Sequence, residues 1–259
     1  MRLPPMHKVT ILSVNMRHRN AAMHALLNSN ESDQILCIQE PWFRKIGTAR
    51  SDKDREGVDV LGGAAHPSWS LIYPYFTQDK HAKVMIYVHK QHVNRLTPLQ
   101  LIPCLDIISH NTIIITDCHY GTDCLHIINF YHDTEDPSSF RSLIALDLDP
   151  TIPTILVGDF NIHSRSWSPP GLDFSPKAAL FEQWAAGQTF ELMTGPGDIT
   201  RRGADHERPS TLDLTWHNLA ASLALALTPQ VVDWAASLGS DHAGIRTVLL
   251  SDQPVQGDK

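Results

Sequence analysis

PTILVGDFNIHSRSW, residues 153–167, sets the reading of the whole chain. Its first part, TILV at 154–157, is an apolar, β-branched run bounded by Pro153 and Gly158, as a short buried strand would be. That strand ends in Asp159 and continues with Asn161 and His163 at two-residue intervals. In an extended chain these three share one side, because side chains alternate with period two. Strand ends of this kind in α/β proteins face the crevices where ligands bind. The same residues also suit a turn in which Asp and Asn cap the next segment. The stretch alone leaves both readings open.

The pattern recurs elsewhere. SVNM places Asn15 at the end of an apolar run, and ILCIQEPW ends in Glu40 before Pro41. IINFYHD ends in Tyr131 and Asp133, and STLDLTW sets Asp213 inside an apolar alternation. SLGSDHAGI puts Asp241 and His242 just ahead of the last strand. One polar residue at a strand end is ordinarily a cap, but a whole set is costly if buried without partners. Glu40, Asp159 and Asp241, with the amides of Asn15 and Asn161, form a hard oxygen set that suits Mg²⁺ or Mn²⁺ and disfavours zinc. An Asp213 partner would fix the tautomer of His242 and raise its pKa. A protonated His, a divalent cation and a tyrosine hydroxyl together favour a phosphate in a charged transition state. Attack of water on a phosphodiester is the reaction class these groups suit.

Working outward, strand-like runs outnumber helical ones and arrive in groups in both halves. Residues 9–15 and 34–39 read as strands flanking a helical stretch at about 19–28. Further helices are expected at 138–147, capped by Ser138 or Ser139, and at 176–186. Residues 44–67 are polar, basic and Gly-rich and read as a long surface loop. Two packed mixed β-sheets flanked by helices fit this order, in one domain over residues 1–250 with a polar tail at 251–259. The charge count is 21 Lys+Arg against 28 Asp+Glu, a net of −7, which argues against broad, non-specific nucleic-acid binding. No apolar run approaches the roughly eighteen residues that span a bilayer. The N-terminal stretch shows no signal-peptide pattern. Cys37, Cys104, Cys118 and Cys124 follow no disulfide spacing and read as buried thiols of a reducing compartment.

QEPW at 39–42, NFY at 129–131, GDFN at 158–161 with His163 and Trp167 after it, STLDLTW at 210–216 and GSDH at 239–242 occur in one order. In that order and spacing the chain resembles the endonuclease/exonuclease/phosphatase family. Within it, the chain looks most like the apurinic-type endonuclease domain of non-LTR (LINE-type) retrotransposons, over about residues 8–250. The resemblance implies a four-layered α/β sandwich with its site at the rim between two sheets. It implies a Mg²⁺-dependent DNA endonuclease, Mn²⁺ being an alternative, that nicks one strand and leaves 3′-OH and 5′-phosphate ends. Glu40 corresponds to the metal-binding glutamate, Asn15 to the asparagine beside it, and Asp241 to an aspartate that assists the metal. Asp159 would orient and deprotonate water, Asn161 would hold phosphate or water, and His242, paired with Asp213, would bind the scissile phosphate. Tyr131 would sit near the phosphate or the leaving group. In a retroelement the 3′-OH would prime a reverse transcriptase on the same parent polyprotein, and the setting would be intracellular and nuclear, with the domain a monomer. The chain has no Tyr-x-Asp-Asp signature, so it would be an excised domain or a stand-alone derivative. Arg17, Ser164 and His132-Asp133 depart from the family pattern and bear on substrate detail.

By the same resemblance, TGPGDITRRGADHERP at 194–209 occupies a hairpin loop that probes target DNA, through Arg201, Arg202 and Arg208. Lys45, Arg50, Lys53 and Arg55 are weaker contacts, since acidic residues share their run. Trp42, Trp69 and Trp216 could stack on bases, although Trp216 beside an apolar strand fits a core better. Cys118, His119, Cys124 and His126 around the Gly121 turn have zinc-ligand chemistry, but hairpin neighbours of mixed facing explain them better. A sister phosphoesterase and a catalytically silent DNA-binding module are the competing functions. The absence of a Cys-Asp-Arg motif argues against the inositol phosphatases, and intact catalytic positions argue against silence.

Overall fold

The computed structural model describes residues 7–30, 32–51, 54–74, 81–93, 100–104, 110–120, 123–203, 207–228 and 230–251. The expected tail lies outside these residues apart from Ser251, as do Lys53 and the side chains of Arg50 and Arg55.

The first part of the chain forms β1 (His7–Asn15), α1 (Asn20–Ser29), β2 (Ile35–Gln39), β3 (Phe43–Ser51), β4 (Asp54–Gly63), β5 (Trp69–Ile72), β6 (Val84–His89) and α2 (Lys90–Val93). The middle forms β7 (Gln100–Pro103), β8 (Ile113–Tyr120), β9 (Asp123–Tyr131), α3 (Pro137–Ile144), β10 (Thr154–Asp159) and α4 (Pro176–Gly187). The remainder gives β11 (Phe190–Leu192), β12 (Asp213–Asn218), α5 (Leu219–Ala224), β13 (Ala226–Leu227), β14 (Val231–Asp233) and β15 (Gly244–Ser251). One sheet runs β13-β15-β1-β2-β6-β5 with β14 on β15, and the other runs β11-β12-β10-β9-β8-β7. Each is mixed: β1 is parallel to β2 and antiparallel to β15, and β10 is parallel to β9 and antiparallel to β12.

Three apolar clusters show four layers. Leu12, Val14, Leu36 and Ile38 pack under Met23, Leu26 and Leu27 of α1. Val9, Ile11, Ile35, Cys37 and Ile86 meet Cys118, Leu125, Ile127, Ile155 and Val157 between the sheets. Ile113, Ile128, Phe130 and Leu156 pack under Phe140 and Leu143 of α3 and Phe181 of α4. This is the expected four-layered α/β sandwich, and period-two alternation assigns each strand residue to its layer.

The same alternation places the polar residues. Continuing the inner-face series Val9, Ile11 leads to Ser13 and Asn15; Ile35, Cys37 leads to Gln39; Ile155, Val157 leads to Asp159. All end at one rim. Just behind that rim Gln39 Nε2 donates across the sheets to Asn129 Oδ1 at 2.6 Å, and within its own sheet to Ser13 Oγ at 3.1 Å. Asn129 Nδ2 in turn donates to the carbonyls of Ile38 and Met85. This buried clamp fixes the separation of the sheets where the site opens.

Two local expectations are corrected. Residues 44–67 hold the antiparallel ribbon β3–β4, paired from Phe43↔Gly63 to Ser51↔Asp54. The ribbon forms its own two-stranded sheet, so its sequence lacks the apolar alternation of a strand on a core. Helix α3 is capped by Asp136, whose carboxylate accepts the Ser138 N–H, with Pro137 at the first turn. Ser139 is used otherwise: its hydroxyl donates to the Tyr131 carbonyl.

Candidate active site

Glu40, Asn15, Asp159, His242 and Asp213 form one connected chain of side chains. Asn15 Nδ2 donates to Glu40 Oε2 and to Asp159 Oδ2, each at 2.9 Å. His242 Nδ1 lies 2.9 Å from Asp213 Oδ2, 3.1 Å from its other oxygen and 3.8 Å from Asp159 Oδ2. Tyr131 sits beside Asp159 in register and hydrogen-bonds to Glu40. Asn15, Asp159, Asp213 and His242 are all buried.

Each is placed by a local device. At Gly158 a Cβ would stand 1.8 Å from the Phe130 carbonyl oxygen, so only glycine lets β10 lie against β9 and bring Asp159 to Tyr131. Past Asp159 the chain turns: Asn161 is left-handed at φ 45°, and its N–H donates to Asp159 Oδ1 at 3.0 Å. The turn and the site are therefore the same feature, and Asn161, half-buried, ties its side chain to the His132 carbonyl. Glu40 is also left-handed, φ 44°, although Pro41 follows it. Its backbone is held by the Lys83 carbonyl on one side and the His18 N–H on the other. Thr200 Oγ1 accepts the N–H groups of Leu212 and Asp213, and its carbonyl accepts from Ala243. Ser240 Oγ donates to the Asn15 carbonyl and accepts the His242 N–H. Thr200 and Ser240 thus join the two segments that bring Asp213 and His242 together.

The electrostatics divide the site. Burial alone would raise the Glu40 pKa, but hydrogen bonds from His18, Asn15 and Tyr131 outweigh it and hold the carboxyl down at about 2. Asp159 goes the other way, raised by burial and by the charge of Asp213. Burial opposes charge on His242, yet Asp213 and Asp159 push its pKa up to about 9. Tyr131 is raised by burial and by Glu40 and Asp159, so its hydroxyl keeps its proton.

The remaining expected residues sit apart. Asp241 Oδ2 pairs with Arg17 Nη1 at 2.8 Å and with Arg201 Nε at 3.4 Å, while Oδ1 is buried with no hydrogen-bond partner. Arg201 is half-buried and directed inward, its second partner being Glu207 at 2.7 Å. Arg202 stacks on the Trp234 ring, 4.0 Å from its centre, and Arg208 donates to the Gly171 carbonyl. Backbone bonds between Arg201 and Ser210 close the expected hairpin. Trp69 and Trp216 are core residues, and Trp42 packs against the α1 layer. Arg17 and His18 were not legible as site residues. They follow Asn15 in left-handed turns and reach Asp241 and Glu40 only once β1 is paired with β15 and with β2.

An oxygen-ligated divalent cation fits these residues on two counts. Glu40 is ionised and partly open to solvent, and Asp241 presents a buried oxygen that nothing else uses. Asn15 offers its NH₂ to the carboxylates, while its Oδ1 accepts the Arg17 N–H.

Fold and site together define a protein of hydrolytic nuclease and phosphatase type. The chain belongs to the endonuclease/exonuclease/phosphatase family, which matches it over residues 12–242, as the motifs led us to expect. Its fold is similar to the endonuclease domain of TRAS1, a telomere-specific non-LTR retrotransposon, with a TM-score of 0.69 at 15% identity, covering 93% of this chain and 98% of that one. The catalytic domain of APE2 from Xenopus laevis gives 0.62 at 15% identity over 96% and 94% of the two chains. The 3′ phosphatase NExo from Neisseria, bound to a product DNA hairpin, gives 0.56 at 17% over 92% and 98%. No curated protein matches the chain in sequence. At these identities the structural likenesses speak for the fold alone.

Proposed function

We propose that this chain is a divalent-metal-dependent DNA endonuclease that nicks one strand and leaves 3′-OH and 5′-phosphate ends. The observation that carries the proposal is the connected chain from Glu40 through Asn15 to Asp159 and from His242 to Asp213, joined by hydrogen bonds and, between Asp159 and His242, by a 3.8 Å charge contact. Glu40 and Asp241 would hold Mg²⁺ or Mn²⁺, which supplies positive charge beside the scissile phosphate when bound.

The chain's own residues supply the rest. Asp159, whose raised pKa makes it a better base than an ordinary carboxylate, takes a proton from the attacking water. The water oxygen bonds to phosphorus, the P–O3′ bond breaks, and the 3′ oxygen takes up a proton from solvent as it leaves. His242 enters charged; Asp213 occupies Nδ1 and leaves Nε2 to hold a phosphate oxygen. Tyr131 keeps its proton at neutral pH and donates to the phosphate or the leaving oxygen. Asn161, at the rim, flanks the same phosphate. Target-primed reverse transcription, by a reverse-transcriptase domain of the same parent polyprotein, is the use we infer for the 3′-OH end.

Supercoiled plasmid tests this reading, incubated with Mg²⁺, Mn²⁺ or EDTA and compared among wild type, Asp159→Ala and His242→Ala. Metal-dependent conversion to open circles that vanishes in both variants supports it, and end mapping then checks the 3′-OH. No nicking by folded wild type under either metal sinks it, and small phosphoesters become the next substrates.

A further inference from the structure

The outer face of the second sheet carries a group of metal-binding side chains that the proposed chemistry does not use. In register, Asp117 of β8 lies opposite His126 of β9, and His119 lies opposite Cys124. Cys104, just past β7, hydrogen-bonds through its N–H to Ile115 on the neighbouring strand. Ligand atoms of Cys104, Asp117 and His126 all lie within 4.8 Å of one another, and those of Asp117, His119 and Cys124 do the same. Cys118, between Asp117 and His119, points the other way into the core between the sheets. The zinc-type residues expected at positions 118, 119, 124 and 126 therefore have mixed facing, as alternation requires. The group that does converge includes Cys104 and Asp117, which come from outside that set.

A second observation marks the first triplet. His126 is 5% exposed, and its Nδ1 is buried without a hydrogen-bond partner. Its Nε2 lies 2.9 Å from Asp117 Oδ1, a contact of ion-pair length, yet that oxygen also lacks a hydrogen-bond partner. Buried polar atoms left unsatisfied on two members of a Cys/Asp/His set need an explanation.

We propose that Cys104, Asp117 and His126 bind zinc, with a solvent oxygen in the fourth position. Thiolate, imidazole and carboxylate form a mixed set suited to a borderline-soft, tetrahedral cation. A tetrahedral zinc wants its ligand atoms roughly 3.3–3.8 Å apart by its bond lengths, so closing the triplet takes shifts of about an ångström. The ion would tie edge strand β7 to the β8–β9 hairpin. It sits on the opposite face of the sheet from Tyr131 and Asp159, so it is separate from the proposed catalytic centre.

Cobalt substitution tests this directly. The Asp159–Asp213–His242 group could also take up a metal ion, but it has no sulfur. A sulfur-to-cobalt charge-transfer band in the near ultraviolet, displaced by stoichiometric zinc, therefore excludes that group, and the cysteine variants separate Cys104 from Cys124. We expect the band in wild type and in Cys124→Ser, and its loss in Cys104→Ser. Asp117→Asn should weaken zinc binding at least roughly tenfold, and plasmid nicking or circular dichroism confirms that each variant is folded. No band in wild type, a band that survives Cys104→Ser, or unchanged zinc affinity in folded Asp117→Asn overturns the proposal.

Discussion

Glu40 and Asp159 are carboxylates that share one amide donor, yet their environments drive them in opposite directions. Glu40 stands at the open side of the rim, ringed by His18, Asn15 and Tyr131, and is held down at about 2. Asp159 stands a few ångströms away under complete cover, facing Asp213, and is pushed up. The lesson is that the count of hydrogen-bond donors, set against burial and like charge, decides which carboxylate stays ionised and which holds a proton readily. A pair split in this way divides labour: one suits a cation and the other suits general base work.

The largest expected effect comes from removing the base side. Asp159→Asn keeps the shape and the turn but abolishes the proton acceptor, and His242→Ala removes the positive donor. Each should lower the nicking rate by roughly 10²–10⁴-fold, read in initial rates on supercoiled plasmid. The double variant should fall little further, since the two act on one step; full additivity would show that they act separately. Asn15→Ala attacks the link between the halves. It leaves the buried Asp159 and the half-buried Glu40 without their shared donor, so stability should fall by roughly 1–3 kcal/mol in denaturant unfolding. Wild-type stability in that variant would mean the amide only fills space.

The pH profile sharpens the comparison. With Asp159 needed as a base and His242 needed charged, nicking should follow a bell. Its acid limb lies above the ordinary carboxylate range, and its alkaline limb lies near 9. Asp213→Asn should draw the alkaline limb to lower pH and, because the Asp213 charge also raises Asp159, move the acid limb down as well. Stability carries the same signs. Glu40, lowered from 4.5 to about 2, contributes stability present above 4.5 and lost as the pH falls through about 2. His242, raised from 6.5 to about 9, contributes stability complete below 6.5 and lost as the pH rises through about 9. Asp159, raised above 3.8, favours the fold most when protonated and loses that contribution as it ionises. An alkaline limb unmoved in Asp213→Asn would sink the assignment of His242.

Much of this is readable from alternation. Asn15, Asp159 and Asp213 fall at inward-facing positions of apolar strands, so a period-two count along the sequence is enough to put them on one face. The count fails where geometry is non-local. Arg17 stands out only as a departure from the family pattern and His18 not at all, because their partners Asp241 and Glu40 lie elsewhere along the chain. The β3–β4 ribbon is hidden for a different reason: a two-stranded sheet of its own imposes no apolar alternation on RKIGTARS or DREGVDVLGG. The arginines of 194–209 are legible as charge but not as contacts. Nothing in TRRG tells which arginine turns inward to Asp241 and which stacks outward on Trp234.

That last distinction gives the smallest expected effect. Arg202 and Arg208 are exposed, and their intramolecular partners, a tryptophan face and a backbone carbonyl, leave the guanidinium charge unneutralised. If the loop meets DNA, each would displace about one counterion from a phosphate, so Arg202→Ala or Arg208→Ala should reduce the slope of log affinity against log salt by roughly 0.9. Arg201 is already neutralised by Asp241 and Glu207, so its replacement should leave the salt slope almost unchanged. Because it holds Asp241, Arg201→Ala should instead shift the metal concentration needed for half-maximal nicking. Equal salt slopes in all three variants would remove the loop from the DNA interface and leave it a support for the metal side of the rim.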